Sequence, residues 1–210
     1  MECNFLFQKK EITMTTIIHP SYFPNIEYFS YLLNSEDISF EINDFYQKQT
    51  LRNRTYIHAA NGILMLSVPV KHSGKNIRRK FNDVLIENNQ DWKKNHFKSI
   101  KIAYQSSPYY EFYENKLIDF FKRDNNQLYK LNLSSIHLVL NCLKLKCDEI
   151  TDISKFKTIN DLNFLTNVKR STEKNTKYIQ TFEEKNGFIN DLSILDLLFN
   201  CGPNSLDYIK

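Results

Sequence analysis

The sequence predicts an α/β fold: a mixed, mainly parallel sheet begun by a βαβ unit and extended by a hairpin, with a helical C-terminal half. Three observations predict it. First, an apolar run (Thr15 to Ile18), a helically spaced set (Tyr22, Ile26, Phe29, Leu33) and an alternating stretch (Ile38, Phe40, Ile42) follow one another closely. Second, Asn61-Gly62 divides two β-rich runs, 55–60 and 63–70. Third, from Asp91 onward the apolar period becomes that of a helix.

Each element has its own reason. The run at Thr15 to Ile18 is short and continuous, as in a strand buried on both faces. Asn34 and Ser35 end the helix after it. Ile38, Phe40 and Ile42 alternate with Ser39, Glu41 and Asn43, a half-buried strand. Strand, helix, strand in this order predicts parallel pairing through a right-handed crossover. Asn61-Gly62 suits the two positive-φ positions of a type I′ turn. Pro69 lacks a ladder donor and belongs at a strand end or sheet edge. Phe81 to Ile86 reads as a further strand.

In the second half, Trp92, His96, Ile100 and Tyr104 recur one turn apart. Ser107-Pro108 reads as an N-cap with proline at the first helical position, before a face of Phe112, Tyr113, Leu117, Phe120 and Phe121. A third helix covers about 127–145, with Leu133, Ile136, Leu140 and Leu143 inward. Ser193 to Asn200 is a terminal helix stopped by Gly202-Pro203. Residues 146–190 show no clear period, and Lys169 to Lys177 is polar enough for an exposed loop. The predicted organisation is a poorly ordered leader (1–13), an α/β region carrying the site motifs (14–90) and a mainly helical region packed on it (91–210), in one compact domain.

Composition narrows the function. With 16 Phe and 12 Tyr but only 4 Gly and 5 Pro, the chain has material for a core and none of the bias of a disordered protein. A net charge of +4 is too mild for a dedicated nucleic-acid binder, although residues 71–80 hold five cations and no acid. No apolar run is long enough to span a membrane, and no signal peptide is visible. Cys3, Cys142, Cys147 and Cys201 are scattered, as expected of free thiols in the cytoplasm. No His, Cys and carboxylate set has zinc spacing, so no metal is expected. Four glycines exclude a Walker or Rossmann phosphate loop, and no G-x-S-x-G elbow is present; no cofactor can be named.

Two blocks carry the chemistry. His19, Pro20 and Tyr22 lie at a strand end that Pro20 and Pro24 stiffen, where open α/β sheets place ligands. His19 titrates near neutral pH and can serve as acid, base or ligand contact; a histidine hydrogen-bonded to the backbone is the plainer alternative. In the second block Gln47, Lys48, Arg52, Asn53 and Arg54 crowd together, offering guanidinium forks and neutral donors to an anion. Asp44 is the acid among them, either a base or an orienting partner for Arg54. Lys71 and His72 follow the hairpin and are expected to touch an anionic ligand, whereas Arg78 to Lys80 read as a solvated loop. Trp92 and His96 share one helical stripe, which more often means core than pocket wall.

These residues stand in motifs that resemble the WbqC-like family. H-P-S-Y-F-P (19–24) is similar to its opening motif, and N-D-F-Y-Q-K-Q-T-L-R-N-R (43–54) to its second, which ends in Asn-Arg. N-G-I-L-M-L-S-V-P-V-K-H (61–72), D-W-K-K-N-H-F-K-S-I (91–100), A-Y-Q-S-S-P-Y-Y-E-F-Y (103–113) and D-L-S-I-L-D-L-L-F-N-C-G-P (191–203) extend the resemblance to most of the chain. Ser21, Asn25 and Phe97 depart from the family pattern, differences that touch ligand identity more than fold.

The resemblance implies a glycyl-type aminoacyl or acyl transferase acting on an amino sugar in surface polysaccharide (O-antigen) biosynthesis. The residues and the resemblance together assign catalytic roles to His19, Asp44 and Lys48, with Pro20, Tyr22, Gln47, Asn53, Arg54, Lys71, His72, Trp92 and His96 around one pocket. The expected partner is a small anionic substrate, a nucleotide sugar or an acyl donor. Two alternatives stand beside this: a nucleotidylyltransferase-like nucleotide-binding enzyme, and a non-catalytic binder of anionic ligands.

Overall fold

The computed structural model describes residues 15–35, 37–72, 74, 78–89, 91–145, 159–167 and 176–209. The expected leader, most of the loop at 169–177 and part of the basic stretch at 71–80 lie outside the described residues.

The chain opens with β1 (Thr15–Ile18), α1 (Ile26–Asn34) and β2 (Asp37–Phe40), and β1 pairs with β2 in parallel, Thr15 opposite Asp37 and Ile18 opposite Phe40. All four β1 residues are buried. A strand covered on both sides needs no alternation, which explains its continuous apolar reading. Asn25 caps α1, its side chain accepting the Tyr28 N–H at 3.1 Å. A third strand, β5 (Ile159–Asp161), takes the other edge of β1, giving the order β2-β1-β5.

The hairpin does not extend that sheet. β3 (Arg54–Ala59) and β4 (Gly62–Ser67) pair antiparallel as a separate two-stranded sheet. With β5 on the far edge of β1, that position is taken. Side chains and loops replace a neighbouring strand on β3: Ser193 N–H donates to Tyr56 O at 2.8 Å, and Tyr104 Oη accepts the His58 N–H at 3.1 Å. The turn differs too. Gly62 has φ 99°, while Asn61 stays out of the left-handed region. That is a two-residue turn at Ala60–Asn61, closed by the Ala59–Gly62 pair, in place of the mirror-image turn expected.

The strand expected at 81–86 is a single 3₁₀ turn, Phe81–Asp83, flanked by isolated bridges from Lys80 to Phe45 and from Ile86 to Val70. Asn82 and Asp83 favour local turns, and the three-residue step from Phe81 to Val84 buries both side chains.

The helices follow: α2 (Trp92–Tyr104), α3 (Tyr110–Lys122), α4 (Leu128–Cys142), the short α5 (Glu183–Asn186) and α6 (Ile194–Cys201). Ser107 does not cap α3; its hydroxyl donates back to Tyr104 O at 2.6 Å, and the helix begins at Tyr110. Ile194 to Phe199 are all buried, and α6 packs against α1, α3, α4 and β3. It lies within the core, as a helix whose buried residues are all apolar but Asp196 must. Among the described residues no helix is long and apolar enough to cross a membrane.

Candidate functional site

The corner after β1 is wholly buried from His19 through Pro24. Four elements hold its backbone. From α1, Tyr28 Oη donates to His19 O at 2.9 Å. From α4, Asn132 Nδ2 donates to Pro20 O at 2.9 Å, while Ser135 Oγ, whose own proton goes to Asn132 O at 2.7 Å, accepts the Phe23 N–H at 3.1 Å. Thr55 of β3 and Ser193 at the start of α6 both donate hydroxyls to Phe23 O, at 2.7 and 3.0 Å. Phe23 sits at φ 39°, a strained angle for an aromatic residue, and these bonds fix it there.

The second block is brought to this corner by the backbone. Glu41 N–H donates to Ile18 O at 3.0 Å, continuing the β1–β2 pairing by one step. Tyr22 N–H then meets Leu51 O at 3.1 Å, and Asn132 Nδ2, already on Pro20, also reaches Arg52 O at 2.7 Å. One asparagine of α4 therefore clamps both blocks.

Where the blocks meet, the His19 side chain is enclosed. Its Nδ1 lies 3.3 Å from Glu41 O and its Nε2 lies 3.3 Å from Asp44 Oδ2, whose side chain is 48% exposed. Burial and the Arg52 charge push the His19 pKa down to about 3. The ring is neutral at pH 7, and because Glu41 O can only accept, the proton belongs on Nδ1. That leaves the Nε2 lone pair facing a carboxylate oxygen, without hydrogen-bond geometry between them. The pairing of two acceptors is one that an arriving proton would relieve.

Further groups surround the imidazole. Phe81 meets His19 edge-on with ring centres 6.4 Å apart, and the Arg52 guanidinium lies 5.9 Å from the same Phe81 ring. Arg52 is only 2% exposed, and burial lowers its pKa against the pull of Asp44 and Tyr46. Tyr46 stacks on Phe81 with centres 6.0 Å apart.

Other expected residues are placed elsewhere. Tyr22, Trp92 and His96 form a separate buried set: Tyr22 Oη lies 3.0 Å from His96 Nδ1, and the Trp92 ring meets His96 edge-on at 5.2 Å. Burial pulls His96 down to about 4, against a hydrogen bond with the Ser67 backbone. Among the described residues no hydrogen bond or ring contact joins this set to His19, Asp44 or Arg52. Asn53 is buried and braces the hairpin, its Nδ2 donating to Val68 O at 3.2 Å. Gln47, Lys48, Lys71 and His72 are exposed. Arg79, read as part of a solvated loop, donates from Nη2 to Lys71 O at 2.6 Å, and its backbone carbonyl accepts the Tyr46 N–H at 2.9 Å.

Sequence reasoning missed Tyr46, Arg79, Asn132 and Ser135. A signal existed for the last two, polar residues on the inward stripe of α4 beside Leu128, Ile136 and Val139. A groove of about 390 Å³ between α3 and α4, lined by Lys116, Arg123, Ser134, His137 and Asn141 among others, contains none of the motif residues.

Neither a curated protein nor a solved structure matches the chain. A model of the WbqC-like protein family matches residues 19–183 of the 210, from the His19 corner through both blocks to the start of α5 and short of the closing helix. On a match across well over half its length, the chain belongs to the WbqC-like protein family.

Proposed function

We propose that this chain is a transferase that moves an aminoacyl or acyl group, of glycyl type, onto the amine of an amino sugar for surface polysaccharide. The observation that carries the reading is the neutral His19 imidazole, with its Nε2 lone pair 3.3 Å from Asp44. As the amine nitrogen attacks the donor's carbonyl carbon, His19 Nε2 takes the amine proton and Asp44 steadies the imidazolium. The new C–N bond forms, the bond from carbonyl carbon to leaving group breaks, and the proton passes to that leaving group. Arg54 and the exposed Lys48 supply positive charge for the substrate or the oxyanion. Family membership supports the reaction class.

The test is a mass-spectrometric transfer assay with amino-sugar acceptors and acyl donors. His19→Gln keeps a polar side chain and should lower the rate by about 10²–10⁴-fold, with an unchanged circular dichroism spectrum. A fully active variant would sink the proposal. One observation favours a second reading, a non-catalytic anion binder: the buried Arg52 has no carboxylate within 4.0 Å among the described residues and needs an anion whether or not chemistry follows. Ligand binding without turnover in any donor–acceptor pair would select it.

A further inference from the structure

Beside His19 lies a set of cationic and hydroxyl groups of which the transfer step uses Arg54 alone. Arg52, at 2% exposure, makes a single side-chain hydrogen bond among the described residues, a long one of 3.5 Å from Nη1 to Thr50 Oγ1. Its Nε is buried with no partner, and so are the Nε of Arg54 and the hydroxyl of Tyr46. Arg79 is drawn to the same place, its carbonyl holding the Tyr46 N–H at 2.9 Å and its own Nη2 held on Lys71 O at 2.6 Å. The three guanidiniums act together on Tyr46, whose hydroxyl burial raises to about 12 while Arg52, Arg79 and Arg54 pull it back. The acid that acts on Arg52 is Asp44, half exposed and 3.3 Å from His19.

A buried guanidinium without a counterion opposes folding and persists where another need outweighs that cost. Three guanidiniums against one carboxylate leave an excess of two positive charges. A single carboxylate would leave one of them unmatched. A phosphate offers two charges and several acceptor oxygens, which suits guanidinium forks and a neutral hydroxyl donor.

We infer that Arg52, Arg54 and Arg79, with the Tyr46 hydroxyl, form a cradle for a phosphomonoester or diphosphate on the substrate. The phosphate lies one ring away from the base, since His19 and Arg52 approach the same Phe81 ring at 6.4 and 5.9 Å. This deepens the transferase reading, on which it rests only for the substrate's identity: the amino sugar would arrive carried on phosphate.

The test titrates the whole chain with inorganic pyrophosphate, orthophosphate and acetate at fixed ionic strength, by calorimetry and thermal unfolding. Pyrophosphate should bind tightest and raise the melting temperature most, and acetate least. Arg52→Met should unfold no lower than wild type without anion, and should bind pyrophosphate about tenfold to a hundredfold more weakly, the loss of a charged hydrogen bond. Arg79→Gln, at a less buried position, should also bind more weakly and decides the matter should Arg52→Met fail to fold. His19→Gln should bind pyrophosphate like wild type, so that its transfer activity bears on the base alone. No stabilisation of wild type by millimolar pyrophosphate, unchanged binding in Arg79→Gln, or acetate binding as tightly as pyrophosphate would each overturn the cradle.

Discussion

His19 owes its chemistry to its surroundings. A histidine in water is half protonated near pH 6.5, and here burial and Arg52 hold it neutral with the lone pair on the side of Asp44. Asp44 is half exposed, so its attraction for an imidazolium is screened. Asp44→Asn should therefore lower transfer by about tenfold, less than loss of His19, in the same steady-state assay; an effect equal to that of His19→Gln would make Asp44 the base. Gly202 shows the opposite kind of dependence, on space. It ends α6 at φ 57°, and an added Cβ would sit 2.6 Å from Tyr109 Cε1. Gly202→Ala should destabilise the chain by about 1–3 kcal/mol in urea unfolding, and an unchanged midpoint would contradict this. The identity of these residues was legible, since both stand in motifs. The burial of Arg52 was not, because a cation in a dense charged run looks solvated until the fold encloses it.

At the scale of elements, α4 does for the site what no motif residue does. Asn132 Nδ2 joins Pro20 O at 2.9 Å and Arg52 O at 2.7 Å, and Ser135 Oγ accepts the N–H of the strained Phe23 at 3.1 Å. Asn132→Ala would leave two buried carbonyls unpaired. It should cost about 1–3 kcal/mol and reduce transfer through misplacement of His19 against Arg52, although Asn132 is given no contact with substrate. Wild-type stability together with wild-type transfer would show the clamp to be idle. The βαβ unit was legible because its periods change sharply between strand and helix. β5 was not: three residues within a patternless stretch pair through their backbone, and backbone pairing leaves little trace in side-chain pattern. The hairpin was recognisable from Asn61-Gly62, but its sheet was not, because local turn chemistry does not say which edge is free.

Over the whole molecule, buried titratable groups set the response to pH. His19 and His96 are held at about 3 and about 4, below the value of 6.5 for a free histidine. Below pH 6.5 the unfolded chain takes up protons that the folded chain refuses, so these two groups lower stability as pH falls toward 4. Asp196 works in the other direction. Burial raises it to about 6 from 3.8, against the Tyr104 and Tyr178 hydroxyls that donate to it at 2.8 and 2.5 Å. The folded chain therefore gains stability as pH falls through 6, fully by 3.8. The two histidines outweigh one aspartate, and His58, also lowered by burial, adds to their side. Unfolding free energy should drop by about 2–3 kcal/mol from pH 7 to pH 5, measured by urea titration. A rise over that interval would mean that the histidines are not held neutral.

The proposed transfer needs His19 to be neutral beside Asp44 in the folded chain. Long-range proton–nitrogen NMR of the histidine rings, with His19→Gln assigning the signal, reads this directly. The neutral tautomer with hydrogen on Nδ1 should persist from pH 7 down to pH 5. An imidazolium signal at pH 7, or a midpoint near 6.5, would contradict it.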